Sequence, residues 1–348
     1  MKILYIKNGD TSFIRLDEEI LVKHYKTLVL PLNNRGRYTY FFQLLKLILV
    51  LVFSLPFKSL AFTRFADWHT AITAFFCRIY NKKLIIVVGG YDASWFPEYG
   101  YGVYNRKTRG KWAKYALRNA SMILPNNPSL IENTNEYLPD ISRKGGINHF
   151  VPDRKGEIQV VHNGYHTDLW IPSEGSKQKD QIVTVAYIGS KRSYDMKGID
   201  DFIEAARNMP DLSFTLIGAN TNKIESWAGS IPQNLKLIDA LNHDELLPEY
   251  QKAKVFCLLS LSEGMPNVLC EAMLCECIPV VSRVNFNADL AGEVGYVVEK
   301  RDPSLIMDAI RQAVDSDEEL GKMARNRIVD NYPFDRREEE LIRVINLL

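Results

Sequence analysis

Short apolar runs alternate with segments of helical periodicity along the whole chain, and this alternation constrains the fold more than any other feature. The runs that we predict as strands lie at residues 2–6, 27–30, 60–63, 84–88, 121–124, 159–162, 182–188, 213–217, 235–239, 255–259 and 278–282. Strands that alternate with helices are typical of a doubly wound parallel sheet. A polar stretch at 171–181 interrupts the alternation, so the sequence predicts an α/β chain with two Rossmann-like domains that face each other across a cleft.

The chain length agrees with this division, because 348 residues suffice for two domains of ordinary size. We predict an N-terminal domain at residues 1–170 and a C-terminal domain at 171–330. The remaining residues, 331–348, are predicted as a C-terminal helix that packs back towards the N-terminal domain.

The charge is distributed unevenly between the two halves. Residues 1–170 contain 23 Lys and Arg against 13 Asp and Glu, whereas residues 171–348 contain 20 against 29. A basic first half suits an anionic partner such as a membrane surface or a phosphate-bearing lipid. Nucleic acid is the competing partner, but no recognisable nucleic-acid motif accompanies the charge, so we expect none to bind.

Two segments of the basic half bear on membrane contact. The apolar segment 41–57 has 17 residues and is interrupted by Pro56, which favours a buried or interfacial helix over a span. The segment 104–118 mixes lysines and arginines with Trp112 and Tyr115, a composition that suits anionic headgroups or a solvated helix face.

The five cysteines lack the C-x-x-C spacing of zinc sites and indicate a reduced, cytoplasmic protein. Peripheral attachment to the inner membrane face remains an option.

The segment SEGMPNVLCEAM, residues 262–273, places Glu263 and Glu271 on either side of a predicted helix start. Gly264 allows a sharp turn after the strand 255–259, and Pro266 suits the first helical position. A helix start favours a phosphate, and Glu271 could accept hydrogen bonds from a pair of ligand hydroxyls. A phosphate near vicinal hydroxyls describes a nucleotide sugar. The alternative is that both glutamates only complement the helix dipole.

A second segment, IGSKRSYDMKG, supplies cations at the end of a neighbouring predicted strand. Lys197 precedes a helix that begins near Ile199, while Lys191 and Arg192 are predicted on the loop after strand 182–188. A diphosphate leaving group needs such cations as its negative charge develops. Alternatively, these side chains are solvated surface residues.

Together these segments resemble family 4 of the retaining glycosyltransferases, enzymes of the GT-B fold. The run SEGMPNVLCEAMLCECIPVVS resembles the E-x7-E signature of that family. In the same order along the chain, VVHNGYHTDLW resembles its segment before the domain linker, YIGSKRSYDMKGID its GR…KG loop, and SFTLIGAN one of its strands.

The resemblance implies a division of roles, with an acceptor-binding N-terminal domain and a nucleotide-sugar-binding C-terminal domain. The implied catalytic residues are Glu263, Lys197 and Arg192; the implied donor-binding residues are Gly264, Met265, Pro266, Asn267, Glu271, Gly189, Lys191 and Gly218; the implied acceptor-side residues are Gly90, Asp92, Asn8 and Gly9. The family uses a nucleotide sugar as co-substrate, and we expect neither a cofactor nor a metal ion.

The implied reaction is transfer of a hexose or N-acetylhexosamine, with retention, from a UDP- or GDP-linked donor to a saccharide or lipid-linked acceptor. Cell-surface polysaccharide or glycolipid synthesis is the expected setting. The chain departs from the family at Ser190, where an arginine is usual, at Glu276, where a small residue is usual, and at Gly89, where a histidine is usual. These departures keep a second hypothesis open, a catalytically weak or inactive relative that binds sugar nucleotides as a scaffold. A nicotinamide dehydrogenase is not favoured, because no G-x-G-x-x-G follows the first strand.

Overall fold

The computed structural model describes residues 1–32, 36–175 and 177–348, and its contacts divide the chain into two units. Unit 1 comprises Met1–Asn133, Lys144–Gly164 and Asp335–Leu348, and unit 2 comprises Thr134–Arg143 and Tyr165–Phe334. The polar stretch predicted at 171–181 begins a few residues after the boundary at Tyr165. Ser176, within that stretch, lies outside the described residues.

The strands and helices follow the predicted alternation. The strands are β1 (Lys2–Asn8), β2 (Lys26–Leu32), β3 (Leu60–Arg64), β4 (Lys83–Val88), β5 (Met122–Pro125), β6 (Asn133–Asn135), β7 (Arg143–Gly145), β8 (Glu157–Ile158), β9 (Gln178–Ile188), β10 (Ser213–Ala219), β11 (Leu235–Ile238), β12 (Ala253–Leu258), β13 (Ile278–Ser282) and β14 (Tyr296–Val298). The α-helices are α1 (Ser12–His24), α2 (Arg37–Ser54), α3 (Trp68–Ile79), α4 (Lys107–Arg118), α5 (Ile147–Phe150), α6 (Lys191–Met196), α7 (Ile199–Asn208), α8 (Thr221–Ala228), α9 (His243–Lys252), α10 (Asn267–Leu274), α11 (Asn287–Ala291), α12 (Pro303–Asp315), α13 (Glu318–Asn331) and α14 (Phe334–Asn346).

Each unit is built on a parallel sheet. The sheet of unit 1 has the strand order β2-β1-β3-β4-β5-β8, and the sheet of unit 2 has the order β11-β10-β9-β12-β13-β14. In unit 2 the order runs outward in both directions from β9 and β12, which is the doubly wound arrangement of a Rossmann fold. Ligands of such sheets bind beyond the carboxyl ends of the strands where the order reverses, and in unit 2 that point lies between β9 and β12.

The central strands are buried along their whole length, and mostly apolar, because helices cover both faces of a parallel sheet. Every residue of β12 and β13 is buried, and in unit 1 the same is true of β3. The cysteines fit this core, since all five are free and buried.

In unit 1 one strand prediction needs correction, and one of the two alternatives for the apolar segment 41–57 is excluded. The run 159–162 is not a strand, since β8 ends at Ile158, although the Gln159 and Val161 amides still donate to carbonyls of the neighbouring segment at β5. This edge segment pairs on one side only. The apolar segment 41–57, predicted as a buried or an interfacial helix, lies in α2 and a following 3-10 helix, Leu55–Phe57, and the fully buried alternative is excluded. One face of α2 and the 3-10 helix packs on the core through Leu47, Leu51 and Leu55, and the other side chains that the structure describes there are exposed or half-buried.

The end of the chain, Asp335–Leu348, belongs to unit 1 and contains nearly all of the last helix, α14. Its Arg337 is buried and donates through Nη2 to Asp17 Oδ1 of α1, at 2.5 Å. Asp17 also accepts a short ion-paired hydrogen bond from Arg64 of β3. This buried triad fastens the end of the chain to the first helix of the unit.

Candidate active site

The carboxyl ends of β9 and β12 lead into the two segments that the sequence analysis singled out. After β9 the chain passes through Gly189 and Ser190 into α6, and Lys197 and Gly198 then connect α6 to α7. After β12 the chain runs through residues 259–266 into α10. The Leu261 amide donates to the Met196 carbonyl at 2.8 Å and ties the two segments together.

Gly198 explains how Lys197 reaches the second segment. Its φ of +61° is left-handed, and a Cβ at this position would lie 2.1 Å from the Leu259 carbonyl oxygen. Only glycine permits both the conformation and this close approach. As a result, Lys197 Nζ lies 2.5 Å from Glu263 Oε1, and the structure joins two of the three side chains that the family resemblance implies as catalytic.

Asn285, which the sequence analysis did not single out, holds the Glu263 loop from the other side. Its Oδ1 accepts hydrogen bonds from the Glu263 amide at 3.0 Å and from Ser262 Oγ at 3.2 Å. Asn285 has a φ of 48°, a left-handed conformation that asparagine tolerates better than most residues. Glu263 is therefore fixed by its backbone, while its carboxylate, 11% exposed, faces Lys197.

The start of α10 lies one residue later than predicted. Pro266 has an extended ψ of 109° and caps the helix, and Asn267 is the first helical residue. Asn267 Oδ1 accepts a hydrogen bond from the Tyr165 hydroxyl at 3.0 Å, a contact that spans 102 residues of sequence. Met265 packs into the hydrophobic core of unit 2, so its backbone is the part available to a ligand. A helix start of this kind favours an anion.

Glu271 lies one turn into α10. Burial raises the pKa of its carboxyl from 4.5 to about 7, and this desolvation is the single cause of the shift. A carboxylate in such a position gains from any ligand hydroxyl that donates to it, because the hydrogen bonds replace lost water.

Lys191 and Arg192 were predicted on a loop, and this is wrong. Both lie in the first turn of α6. Ser190 caps that helix: its Oγ accepts from the Ser193 amide at 3.2 Å, and the Ser193 hydroxyl accepts from the Ser190 amide at 2.9 Å. Lys191 forms an ion pair with Asp195 of the same helix. The serine that replaces the expected arginine thus has a structural role as a helix cap.

Two glycines assigned to donor binding lie at the ends of β9 and β10. Gly218 has a φ of +94°, and a Cβ there would lie 2.2 Å from the Ala186 carbonyl oxygen of β9. Gly189 is exposed, and its carbonyl oxygen lies 3.5 Å from Lys223 Nζ, which donates to it. Their place at the carboxyl ends of β9 and of the adjacent β10 is compatible with the predicted contact to a donor.

The residues predicted to face the acceptor lie in unit 1. Asp92 is buried, and its Oδ1 accepts from the amides of Gly89 and Gly90 at 3.1 and 3.2 Å, while its Oδ2 accepts from the Ala66 amide at 3.0 Å. Burial raises the pKa of the Asp92 carboxyl, against the lowering effect of these amides. Asp92 therefore shapes the loop after β4, and it positions Gly90 from within.

The other two acceptor-side residues follow β1. Asn8 ends the strand, and Gly9 turns the chain with a φ of +97° while its amide donates to the Leu32 carbonyl at 3.4 Å. Both lie at the carboxyl edge of the unit 1 sheet, beside the reversal of strand order between β1 and β3. Their contact with an acceptor stays a prediction.

A family match covers the site segments of unit 2, but not the acceptor-side residues of unit 1. Residues 169–329 match the family model described as Glycosyl transferases group 1, and this range contains Lys197, Glu263 and Glu271. This protein is a glycosyltransferase. No curated protein matches the chain. Within the described residues of the glycosyltransferase, no group of three or more His, Cys, Asp and Glu is arranged to hold a metal ion.

Solved structures share the fold of this glycosyltransferase at low sequence identity. Sucrose-phosphate synthase from Thermosynechococcus elongatus is 14% identical, with a TM-score of 0.74, over 100% of this chain and 98% of its own. HepE from Anabaena, in complex with UDP and glucose, is 13% identical, with a TM-score of 0.72, over 100% of both chains. A trehalose-6-phosphate synthase is 10% identical, with a TM-score of 0.68, over 100% of this chain and 99% of its own. The likeness confirms the predicted GT-B fold, with a Rossmann-like sheet in each unit.

Proposed function

We propose that the glycosyltransferase moves a hexose or N-acetylhexosamine from a UDP- or GDP-linked donor to a saccharide or lipid-linked acceptor, with retention of the anomeric configuration. We place the reaction in the cytoplasm, in the synthesis of a cell-surface polysaccharide or glycolipid, and without a metal ion. The observation that carries the proposal is the pairing of Lys197 with Glu263 beside the start of α10, at the switch point of the unit 2 sheet.

The donor fits this site by its charge and its hydroxyl groups. The diphosphate would lie at the start of α10, where the helix dipole and the Lys197 ammonium both favour negative charge. Glu271, one turn further along α10, would accept hydrogen bonds from the two ribose hydroxyls. HepE, which has the same fold, has been described in complex with UDP-glucose, and this supports a nucleotide diphosphate sugar as the donor.

The ion pair suggests how donor binding prepares the reaction. When the diphosphate attracts Lys197, the Glu263 carboxylate loses its partner and becomes available to hydroxyls of the donor sugar. As the bond between the anomeric carbon and the phosphate oxygen breaks, Lys197 and the helix start stabilise the growing negative charge. Arg192 is the second cation that we assign to this step.

For retention we propose that the acceptor attacks from the same face that the diphosphate leaves, rather than through a covalent glycosyl-enzyme intermediate. The acceptor oxygen bonds to the anomeric carbon on that face, and its proton passes to the departing phosphate oxygen. No protein base is then needed, so the two glutamates act by positioning and by charge rather than as an acid and base pair. The trehalose-6-phosphate synthase that shares the fold was studied as an enzyme of glycosyl transfer with retention, which supports this stereochemistry.

A thermal-shift screen against UDP- and GDP-linked hexoses and N-acetylhexosamines tests the donor, because a ligand that binds the folded state alone raises its melting temperature. We expect one donor to stabilise the wild type, and Glu271→Gln to abolish that shift. Glu225→Gln, on the exposed side of α8, is the matched control and should keep it. A variant Glu271→Gln that binds the donor as well as the wild type contradicts the site.

Turnover and stereochemistry are tested with the donor so identified. Release of nucleoside diphosphate in the presence of a lipid-linked acceptor fraction should survive EDTA, and NMR of the product should show the anomeric configuration of the donor. An inverted product contradicts the same-face mechanism, and loss of activity with EDTA contradicts the metal-free proposal. Donor binding without any release favours the scaffold hypothesis.

A further inference from the structure

Helix α2 and the 3-10 turn after it carry a continuous line of exposed apolar side chains. We define the apolar stripe as Tyr38, Phe41, Phe42, Leu45, Leu49, Phe53 and Phe57, which are between 44% and 82% exposed. Apart from the adjacent pair Phe41 and Phe42, their spacing is three or four residues, which keeps them on one side of the helix. The most apolar 18-residue window of Tyr38–Phe57 has a mean hydropathy of 2.0, and only 17% of that window is buried, so this is not the core helix of a globular protein.

The opposite side of the same helix is anchored in unit 1. Leu47, Leu51 and Leu55 are fully buried in its hydrophobic core. By length and composition the segment could cross a membrane, but doing so would pull these side chains out of the core. The helix therefore lies along the surface of unit 1 and offers its stripe sideways, which is the geometry of an interfacial helix.

The neighbouring helices extend the apolar surface. Helix α3 packs beside α2 and exposes Phe75 and Ile79, and α4 packs beside α3 and exposes Trp112. The Trp112 ring lies 5.8 Å from that of Trp68 at the start of α3, centroid to centroid. Exposed aromatic side chains, tryptophan above all, are typical of protein surfaces at the interface between a membrane and water.

The charge around this surface identifies its occupant. Residues 20–131, which contain α2, α3 and α4, include 16 Lys and Arg against 3 Asp and Glu, and residues 20–66 include no acidic residue. Of the three acids, Asp67 is paired with Arg109 and Asp92 is buried, which leaves Glu98 at the surface. A second copy of the chain would bring the same positive charge against it, whereas an anionic bilayer complements it.

We propose that the apolar stripe inserts into the headgroup region of an anionic lipid bilayer and docks unit 1 on the membrane, with Lys46 and the lysines of α4 bound to lipid phosphates. Membrane docking would bring the enzyme to a lipid-linked acceptor, and to that extent its purpose rests on the proposed function. The docking itself depends on unit 1 alone and not on the donor site.

Flotation of the full chain with vesicles tests the proposal. We expect binding to vesicles of phosphatidylcholine mixed with phosphatidylglycerol, and little binding to phosphatidylcholine alone. The triple variant Phe42→Ser/Leu49→Ser/Phe53→Ser should abolish binding, and it should fold because all three side chains are exposed. The matched control Leu305→Ser/Met323→Ser changes exposed apolar residues of unit 2 and should bind like the wild type.

The proposed binding of lysines to lipid phosphates has its own test. Each basic residue near an anionic surface contributes about 1 kcal/mol, so Lys46→Gln and Lys111→Gln should each weaken vesicle binding about fivefold, and added salt should weaken it further. Equal binding to neutral vesicles, or full binding by the triple variant, overturns the proposal. Self-association without lipid that the triple variant abolishes also overturns it, because the stripe would then be covered by a second copy.

A measurement of donor binding tests the proposed function independently of the proposed membrane docking. The triple variant should keep the melting-temperature shift with the nucleotide sugar, and Glu271→Gln should float like the wild type. Flotation without any donor shift refutes the proposed function alone, and a donor shift without flotation refutes the membrane docking alone.

Discussion

Replacing Glu271 by Gln is expected to stabilise the protein at alkaline pH while it removes donor binding. Burial raises the pKa of this carboxyl from 4.5 to about 7. One pKa unit corresponds to about 1.36 kcal/mol, so ionising Glu271 costs about 3 kcal/mol more in the folded than in the unfolded chain. Between pH 4.5 and 7 the folded state keeps a proton that the unfolded state has lost, and the free energy of unfolding therefore falls as pH rises through this window.

The glutamine side chain has nearly the same shape and does not ionise, so the variant avoids this loss. Relative to the wild type, its free energy of unfolding should rise by about 3 kcal/mol between pH 4.5 and pH 8. Urea denaturation followed by tryptophan fluorescence at the two pH values measures the difference. Glu225→Gln, on the exposed side of α8, should show no such trend. A stability difference between Glu271→Gln and the wild type that stays constant with pH would falsify the reasoning.

The same pKa links donor affinity to pH. If the ribose hydroxyls donate to the ionised carboxylate, the wild-type dissociation constant should fall about tenfold per unit as pH rises towards 7, and then level off. Calorimetric titration with the donor across this range measures the dependence. A flat profile would mean that Glu271 does not accept hydrogen bonds from the ligand.

Three further outcomes are expected. Lys197→Ala should lower kcat/KM by about 100- to 1,000-fold in nucleoside diphosphate release, because it removes a cation from the leaving group, and Lys197→Arg should keep part of the activity. Gly198→Ala should destabilise the protein more than Gly229→Ala in thermal unfolding, since both have positive φ but only Gly198 faces a backbone carbonyl at 2.1 Å. Arg337→Leu should lower the free energy of unfolding by about 3 kcal/mol, because it leaves the buried Asp17 with one partner fewer; an unchanged urea midpoint would show that the pair is not needed.

The sequence predicts the strands of this protein well and their order not at all. The runs 278–282 and 213–217 match β13 and β10 to within two residues, because a buried parallel strand is a nearly continuous apolar run. Hydrophobic pattern carries no information on which strands pair. The reversal between β9 and β12, which selects the site, is visible only in the folded sheet.

The site was predictable where its residues are close in sequence. Glu263, the start of α10 and Glu271 lie within one short segment, and a helix start has a recognisable signature. Asn285 and Tyr165 were missed because they reach the site from 22 and 102 residues away, through contacts that the fold creates. The prediction that Lys191 lies on a loop was wrong because its helix starts with Ser190 and has Ser193 at the third helical position, whereas the capping-box signature has Glu or Gln there.

Gly89 stands where the family resemblance leads one to expect a histidine, and the space for a side chain at this position is filled by a neighbouring residue. A Cβ on Gly89 would lie 2.7 Å from Cε1 of Phe65, so the phenyl ring occupies the space into which a side chain at this position would begin. Phe65 itself is held in a left-handed conformation, with a φ of 65°, and its amide donates to the Val87 carbonyl at 2.9 Å. A bulky residue rarely adopts this conformation unless its surroundings enforce it. The loop after β4 has therefore been built around an aromatic ring where the family resemblance leads one to expect a histidine, and an imidazole cannot be restored there without moving Phe65.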